Sequence, residues 1–327
     1  MPLLNLSHVT TYTYTQPASF GEHRLMVRPR ESYDQHLLEG SLTIDPAPTE
    51  VRWLQDVFGN SVAIATFGRR AKRLSIDSRI RLDHRPGDPQ SVHIEDYARR
   101  YPFTYSSEEM PDLLRSIERQ HLDPQRRIDS WARRFVNPSG PTDTLAMLSD
   151  MTEAIRRQFT YVPRHAKGTQ TPIETLELMR GTCRDYAMFM IEAVRALGFA
   201  SRFVSGYVYN PNARTARLGG GNTHAWVRVY LPGSGWIEFD PTNGIVGNNG
   251  LIRVAVTRDI YQAVPISGTW AGFPGSFVGM DVSVGIAVEP ADASVTSSAP
   301  APFQSSPSQS PPFPSPPFPS PPLPSPR

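Results

Sequence analysis

Arg180-Gly181-Thr182-Cys183-Arg184-Asp185-Tyr186-Ala187-Met188-Phe189-Met190-Ile191-Glu192-Ala193-Val194-Arg195-Ala196-Leu197-Gly198 holds a helix start, an apolar face and a helix stop around a single cysteine. Thr182 suits the N-cap and Asp185, three residues on, suits its acidic partner, so the spacing predicts a capping box with Cys183 at the first helical position. Unpaired amides and the positive end of the helix dipole favour a thiolate at such a position, and the thiolate is the nucleophilic form of cysteine. Ala187, Met190, Ile191, Val194 and Leu197 make one apolar face, widened by Phe189 and Ala193, which predicts a deeply buried helix closed by Gly198. Taken alone, a single cysteine is more often a small core residue than a nucleophile.

Downstream, Thr223-His224-Ala225-Trp226-Val227-Arg228-Val229-Tyr230-Leu231 and Gly235-Trp236-Ile237-Glu238-Phe239-Asp240 flank a Pro-Gly-Ser-Gly turn and read as a hairpin. Val227, Val229, Leu231, Ile237 and Phe239 share one face only if paired residue numbers add to an even total. A register of Leu231 with Gly235 meets that condition. It sets Asp240 across from Trp226 and diagonal to His224, on the face opposite the apolar one, where carboxylate and imidazole can share a hydrogen bond. A thiol at a helix start, an imidazole on a strand and a carboxylate on the next strand form a nucleophile, base and orienter set. Each has a plainer reading: His224 as a satisfied half-buried histidine, and Asp240 before Pro241 as a turn initiator. Their coincidence weakens all three.

Working outward, residues 1 to about 85 alternate apolar and polar side chains, as in Leu74-Ser75-Ile76-Asp77-Ser78-Arg79-Ile80-Arg81-Leu82. They read as antiparallel strands of a small sandwich or barrel. Helical spacing of apolar residues then covers most of 108–160, and strand-like runs follow at 201–209, 223–231 and 235–240, an α+β order. Residues 251–289 return to β patterning. The expected organisation is an all-β domain over 1–88, a catalytic core over 89–250, a C-terminal β segment over 251–290 packing on the folded domains, and a disordered Pro/Ser-rich tail over 291–327. Repeats such as Pro312-Phe313-Pro314-Ser315-Pro316 favour extended polyproline II in that tail. A passive spacer is its plainest role and an SH3-like partner the alternative.

Several of these stretches resemble the transglutaminase-like core of the papain-like cysteine superfamily. They are Gly181-Thr182-Cys183-Arg184-Asp185, Arg195 to Arg202 running into Ser205-Gly206-Tyr207, Thr223-His224-Ala225-Trp226-Val227, and Trp236-Ile237-Glu238-Phe239-Asp240-Pro241-Thr242. His8 to Tyr14, Arg24 to Arg30 and Asp56-Val57-Phe58-Gly59-Asn60 resemble the bacterial transglutaminase-like N-terminal domain, and Arg258-Asp259-Ile260-Tyr261 its closing segment. The resemblance spans about residues 1–290. It implies an α+β chain with a β-sandwich-like N-terminal domain and a papain-like core of helices on an antiparallel sheet. It also implies that Cys183, His224 and Asp240 are a catalytic triad acting on peptide or glutamine-type amides through a thioester. Whether the thioester goes to water (a peptidase or amidase) or to an amine (an acyltransferase or protein cross-linker) is left open, as is a silent scaffold that uses the same groove to hold peptides. The amide of Cys183 is the natural first oxyanion donor, with Tyr161 and Gln170 as candidates for the second.

Composition narrows the alternatives. The 327 residues are 39% hydrophobic and 20% charged, which excludes wholesale disorder, and no apolar run is long enough to cross a bilayer as a helix. Basic residues number 33 against 31 acidic ones, for a net charge of +2, so a nucleic-acid partner is not expected and neither is a membrane. One cysteine excludes an internal disulfide and a thiolate-rich zinc site. No cofactor or metal is signalled, and protein or peptide substrates are the expected partners. Met1 to His8 lacks a basic flank and an apolar stretch, which predicts a cytoplasmic protein.

Overall fold

In the computed structural model, residues 3–85, 92–164, 168–210, 218 and 220–289 are described. The proline-rich tail, with its expected disorder and SH3-like partner, falls outside them. The first strands are β1 (Leu3–Leu25), β2 (Gln35–Asp45), β3 (Glu50–Gln55), β4 (Ser61–Thr66) and β5 (Ala71–His84). The two-residue strands β6 (Arg100–Tyr101), β7 (Thr142–Asp143), β8 (Thr160–Tyr161) and β9 (Arg180–Gly181) run among the helices α1 (Met110–Ile117), α2 (Arg127–Arg133), α3 (Thr144–Gln158), α4 (Pro172–Leu178) and α5 (Cys183–Ala196). Then come β10 (Ser201–Val208), β11 (His224–Leu231), β12 (Gly235–Asp240), β13 (Ile245–Val246), β14 (Leu251–Thr257), β15 (Ile266–Ala271) and β16 (Phe277–Val288).

The long strand β1 belongs to two antiparallel sheets. Its first part lies between β5 and β16, with Leu6 opposite Ile80 and Ile286. Its last residues lie between β4 and β15, with Leu25 opposite Ala63 and Ile266. A register shift between Thr13 and Ala18 lets the strand pass from one sheet to the other. The two sheets close over Tyr14, Phe20, Leu25, Ile44, Leu74 and Ile76, a sandwich-like arrangement. In β5 the alternation seen in the sequence holds: Leu74, Ile76, Ile80 and Leu82 are buried while Arg73 and Arg79 face out.

The second body is helices on a five-stranded antiparallel sheet ordered β13-β12-β11-β10-β14. Helix α5 is its central helix, buried from Asp185 to Arg195 and clustered with Trp131, Leu148 and Met151 on one side and Val227, Val229 and Phe203 on the other. Glu192 and Arg195 are buried with it but satisfied: Glu192 takes Arg119 at 3.1 Å, and Arg195 donates to the carbonyls of Ser116 and Ser201, both at 3.0 Å. The helix ends with Gly198 at φ 88°, where the amides of Gly198 and Phe199 return to the carbonyls of Arg195 and Val194.

After residue 250 the chain splits its contribution. β14 completes the core sheet beside β10, whereas β15 and β16 return to β1. Leu6, Ile80 and Leu82 pack against Tyr207, Ile252 and Val254, which fastens the first sheet to the second. Helix α4 was not expected from apolar spacing. Its signal is local: Thr171 and Glu174 form a capping box with Pro172 in the first turn.

Candidate functional site

Cys183 opens α5 and is 7% exposed. Its approach is set by β9, which pairs in parallel with β8 so that Tyr161 lies beside Gly181. Asp185 then clasps the segment. Its Oδ2 accepts from the Thr182 amide at 2.7 Å and the Thr182 hydroxyl at 2.8 Å, and its Oδ1 accepts from the Gln170 amide at 2.7 Å. Arg164 pairs with the same carboxylate. The expected capping residue is therefore also a buried anchor that ties residues 164, 170 and 182 to the helix start.

His224 begins β11 and Asp240 ends β12. The hairpin has the register expected from the sequence, with Leu231 opposite Gly235, Val229 opposite Ile237 and Val227 opposite Phe239. His224 Nε2 donates to Asp240 Oδ2 at 2.8 Å, with both side chains fully buried. Asp240 further accepts from the Thr242 amide at 2.9 Å and Asn243 Nδ2 at 2.8 Å. Trp226 stacks against the His224 ring at 5.9 Å between centroids and 25° between planes, and its Nε1 donates to Glu238 Oε2 at 2.9 Å. Across the sheet His224 faces Gly206, where a Cβ would stand 2.0 Å from the Ile252 carbonyl oxygen and 2.8 Å from the Trp226 ring. Only glycine leaves room there for the tryptophan that backs the imidazole.

Burial alone would lower the proton affinity of His224, but the charge and hydrogen bond of Asp240, reinforced by the Cys183 sulfur, push it up to about 10. Asp240 is held below the usual carboxylate range: burial opposes ionisation, and His224, Asn243 and the Thr242 amide outweigh it. The other ring nitrogen of His224, Nδ1, has no hydrogen-bond partner among the described residues. Cys183 and His224 line one cavity of about 130 Å³ together with Arg164, Thr182, Arg184 and Thr223. The three sequence-selected residues thus meet in one place. Tyr161 is pushed up to about 12, first by burial and then by charge on Cys183, Asp185 and Asp240, so its phenol keeps its proton. The Gln170 carbonyl oxygen is engaged by the Thr175 hydroxyl at 3.5 Å. Asn243, Trp226 and Glu238 were not singled out from the sequence as parts of this site. Among the described residues no group of three His, Cys, Asp or Glu could hold a metal ion, and no helix is long and apolar enough to cross a membrane.

Comparison with known proteins agrees with this architecture. Over 271 residues the chain is 27% identical to an uncharacterized protein of Mycobacterium tuberculosis, covering 80% of this chain and 86% of that one. A Mycobacterium leprae protein, also uncharacterized, is 23% identical over 278 residues, 82% and 93% of the two chains. A shorter stretch of 65 residues is 37% identical to a protein-glutamine gamma-glutamyltransferase of Pseudomonas aeruginosa, covering 19% of this chain and 10% of that one. Among solved structures, a Cytophaga hutchinsonii protein described as a candidate cysteine protease superposes with a TM-score of 0.65 at 19% identity, over 89% of this chain and 92% of that one. Residues 4–83 match the bacterial transglutaminase-like N-terminal region and residues 129–241 match the transglutaminase-like superfamily. The chain thus carries, in that order, a bacterial transglutaminase-like N-terminal region and a core of the transglutaminase-like superfamily.

Proposed function

We propose that the protein is a thiol-dependent acyl-transfer or hydrolytic enzyme acting on peptide or glutamine-type amides. In this reading Cys183 is the nucleophile, His224 the proton carrier and Asp240 the residue that orients the imidazole. The observation that supports it most is the 2.8 Å bond from His224 Nε2 to Asp240, with Nδ1 left unpartnered in a site where Cys183 lines the same cavity. Cys183 attacks as the thiolate, its Sγ forming a C–S bond to the amide carbon. His224 already holds its proton through neutral pH and delivers it to the departing nitrogen as the C–N bond breaks. Water or an amine then attacks the thioester, the C–S bond breaks, and His224 takes up the proton of the attacking group. A single thiol that must stay reduced suits a cytoplasmic site of action. The names of the matched proteins include both a glutamyltransferase and a protease-type fold, so both fates belong to the test.

The test incubates the full chain with a glutamine-containing peptide library, with and without a primary amine, and reads product masses. Exchange of ammonia for the amine means transfer, exchange of ammonia for water means amidase action, and a cut backbone means peptidase action. Cys183→Ala is expected to abolish every product. Turnover that survives in that variant refutes the assignment of the nucleophile.

A further inference from the structure

A second cavity of about 440 Å³ adjoins the first and shares Gly168, Arg184 and Thr223 with it. Its volume lies in the range of ligand pockets, about 300–1,000 Å³, whereas the cavity at Cys183 falls well below that range. The remaining wall comes from distant parts of the chain: Tyr12 of β1, Met280 and Val282 of β16, and Ile260, Tyr261 and Pro265 from the turn that follows β14. The N-terminal sheet and the core therefore build it together.

His8, Thr10 and Arg184 on this wall are already engaged. His8 binds the Tyr207 hydroxyl through Nδ1 at 2.8 Å and Thr10 through Nε2 at 3.1 Å. Arg184 donates to the Ile260 carbonyl at 3.1 Å and lies over the Phe203 ring at 5.0 Å. No carboxylate lines the cavity. What it offers a guest is apolar surface beside the cysteine, and burial of apolar area is what such a wall rewards.

We infer that this compartment is a specificity subsite that holds a large apolar or aromatic side chain of the acyl-donor peptide, next to the amide presented to Cys183. The inference rests on the proposed acyl chemistry for its orientation, not for its occupant. A scissile carboxamide enters the small cavity, and a neighbouring Phe, Leu or Met side chain fills the large one.

Binding and turnover are measured separately. Fluorescein-labelled peptides carrying glutamine with Phe, Leu, Ser, Asp or Arg on either side are titrated by anisotropy into the full-length Cys183→Ala chain, and the same peptides are assayed for turnover with the intact chain. The Phe or Leu peptides are expected to bind at least ~10-fold more tightly than the Ser peptide, the scale set by burying one large apolar side chain. Met280 is 57% exposed and Tyr261 67% exposed, so both tolerate replacement without loss of the fold. Tyr261→Ala should shrink the Phe-to-Ser ratio toward one, and Met280→Glu should move the preference from Phe to an Arg peptide. Equal binding of Phe and Ser peptides, no binding of any peptide, or a preference unmoved by both variants overturns the subsite. Displacement of the probe by a peptide of residues 311–326 at lower concentration than by the Phe peptide names the chain's own proline-rich end as the occupant and also overturns it. A clear side-chain preference without any turnover keeps the subsite and refutes the acyl chemistry. Turnover without side-chain preference does the reverse.

Discussion

Replacing Asp240 by asparagine keeps the shape of the side chain and removes its charge, and the structure sets what should follow. Asp240 is fully buried and receives His224 Nε2 and Asn243 Nδ2, each at 2.8 Å, on the same oxygen. In the intact protein His224 rises from its ordinary 6.5 to about 10, because Asp240 and Cys183 outweigh the lowering effect of burial. A group whose folded value is raised adds stability that is complete below its unfolded value and is lost as pH rises through its folded one. The His224 contribution is therefore whole below 6.5 and fades on the way to about 10. The Asp240 contribution runs the other way: its folded value is lowered, so its share is present above 3.8 and lost as the solution is acidified. Breaking one side of a buried ion pair costs about 3–5 kcal/mol, and at roughly 2–4 °C per kcal/mol the melting point should fall by about 6–20 °C near pH 6. Above about pH 10 the two melting curves should converge, since the wild-type imidazole has by then lost its proton too. Long-range ¹⁵N–¹H spectra should show both ring nitrogens of His224 protonated at neutral pH in the wild type and only one in Asp240→Asn. A wild-type His224 that titrates below 6.5, or a stability gap that widens toward alkaline pH, refutes the reasoning.

Three further outcomes follow from the surroundings of the pair. Gly206→Ala forces a methyl group against the Ile252 carbonyl and the Trp226 ring, so thermal melting should show a loss of about 1–3 kcal/mol or more; an unchanged midpoint would mean that β10 and Trp226 are not packed this way. Arg253→Met strands Asp34 as a buried carboxylate and leaves Glu238 with Arg228 as its remaining cation, at a cost of about 3–5 kcal/mol near neutral pH. In the wild type burial raises Asp34 but Arg253 outweighs it and holds it at about 2, so this stabilisation is present above 3.8 and lost as pH falls toward 2; urea melts should find the variant nearest to wild type in acid, and an equal deficit at pH 6 and pH 3 would contradict the pairing. Asn243→Ala removes one donor that helps hold Asp240 ionised and should cost about 0.5–1.5 kcal/mol in thermal melts near neutral pH; an unchanged midpoint would mean that this bond adds nothing to the site.

The parts of the fold that proved legible are those written in local spacing. The hairpin register followed from five apolar residues with odd numbers and one short turn, and with it the meeting of His224 and Asp240. Helix α5 followed from its cap, its apolar face and Gly198. What escaped was long-range polar pairing. Asp34 and Arg253 lie 219 positions apart and Asn60 joins the Val256 backbone across 196, and no periodicity announces a bond between residues so far separated. The short helix α4 escaped for the opposite reason: seven residues hold too few turns to show a face, and only its capping box marks it.

These unannounced polar residues bear on why the site is ordered. Arg253 Nη1 donates to Asp34 at 3.0 Å and to Glu238 Oε1 at 3.0 Å, Glu238 Oε2 takes the Trp226 indole, and the indole plane stacks on His224. Each of these residues is at most 3% exposed. Apolar residues of the same volume would hold the two bodies together as well or better, since desolvation consumes most of what a buried ion pair returns. They would not fix the plane of Trp226. A hydrogen bond to the indole nitrogen does, and a ring held in one plane leaves the imidazole packed on it little freedom to turn away from Asp240. The residue at the far end of this series, Asp34, belongs to the N-terminal β region, so the region is part of the packing that orients His224 as well as a neighbour of the core. By the same reasoning the match over residues 129–241 leaves out two of the groups that hold Trp226 in place, Asp34 and Arg253. A core cut to those limits would keep Cys183, His224 and Asp240 and lose the support that sets their geometry.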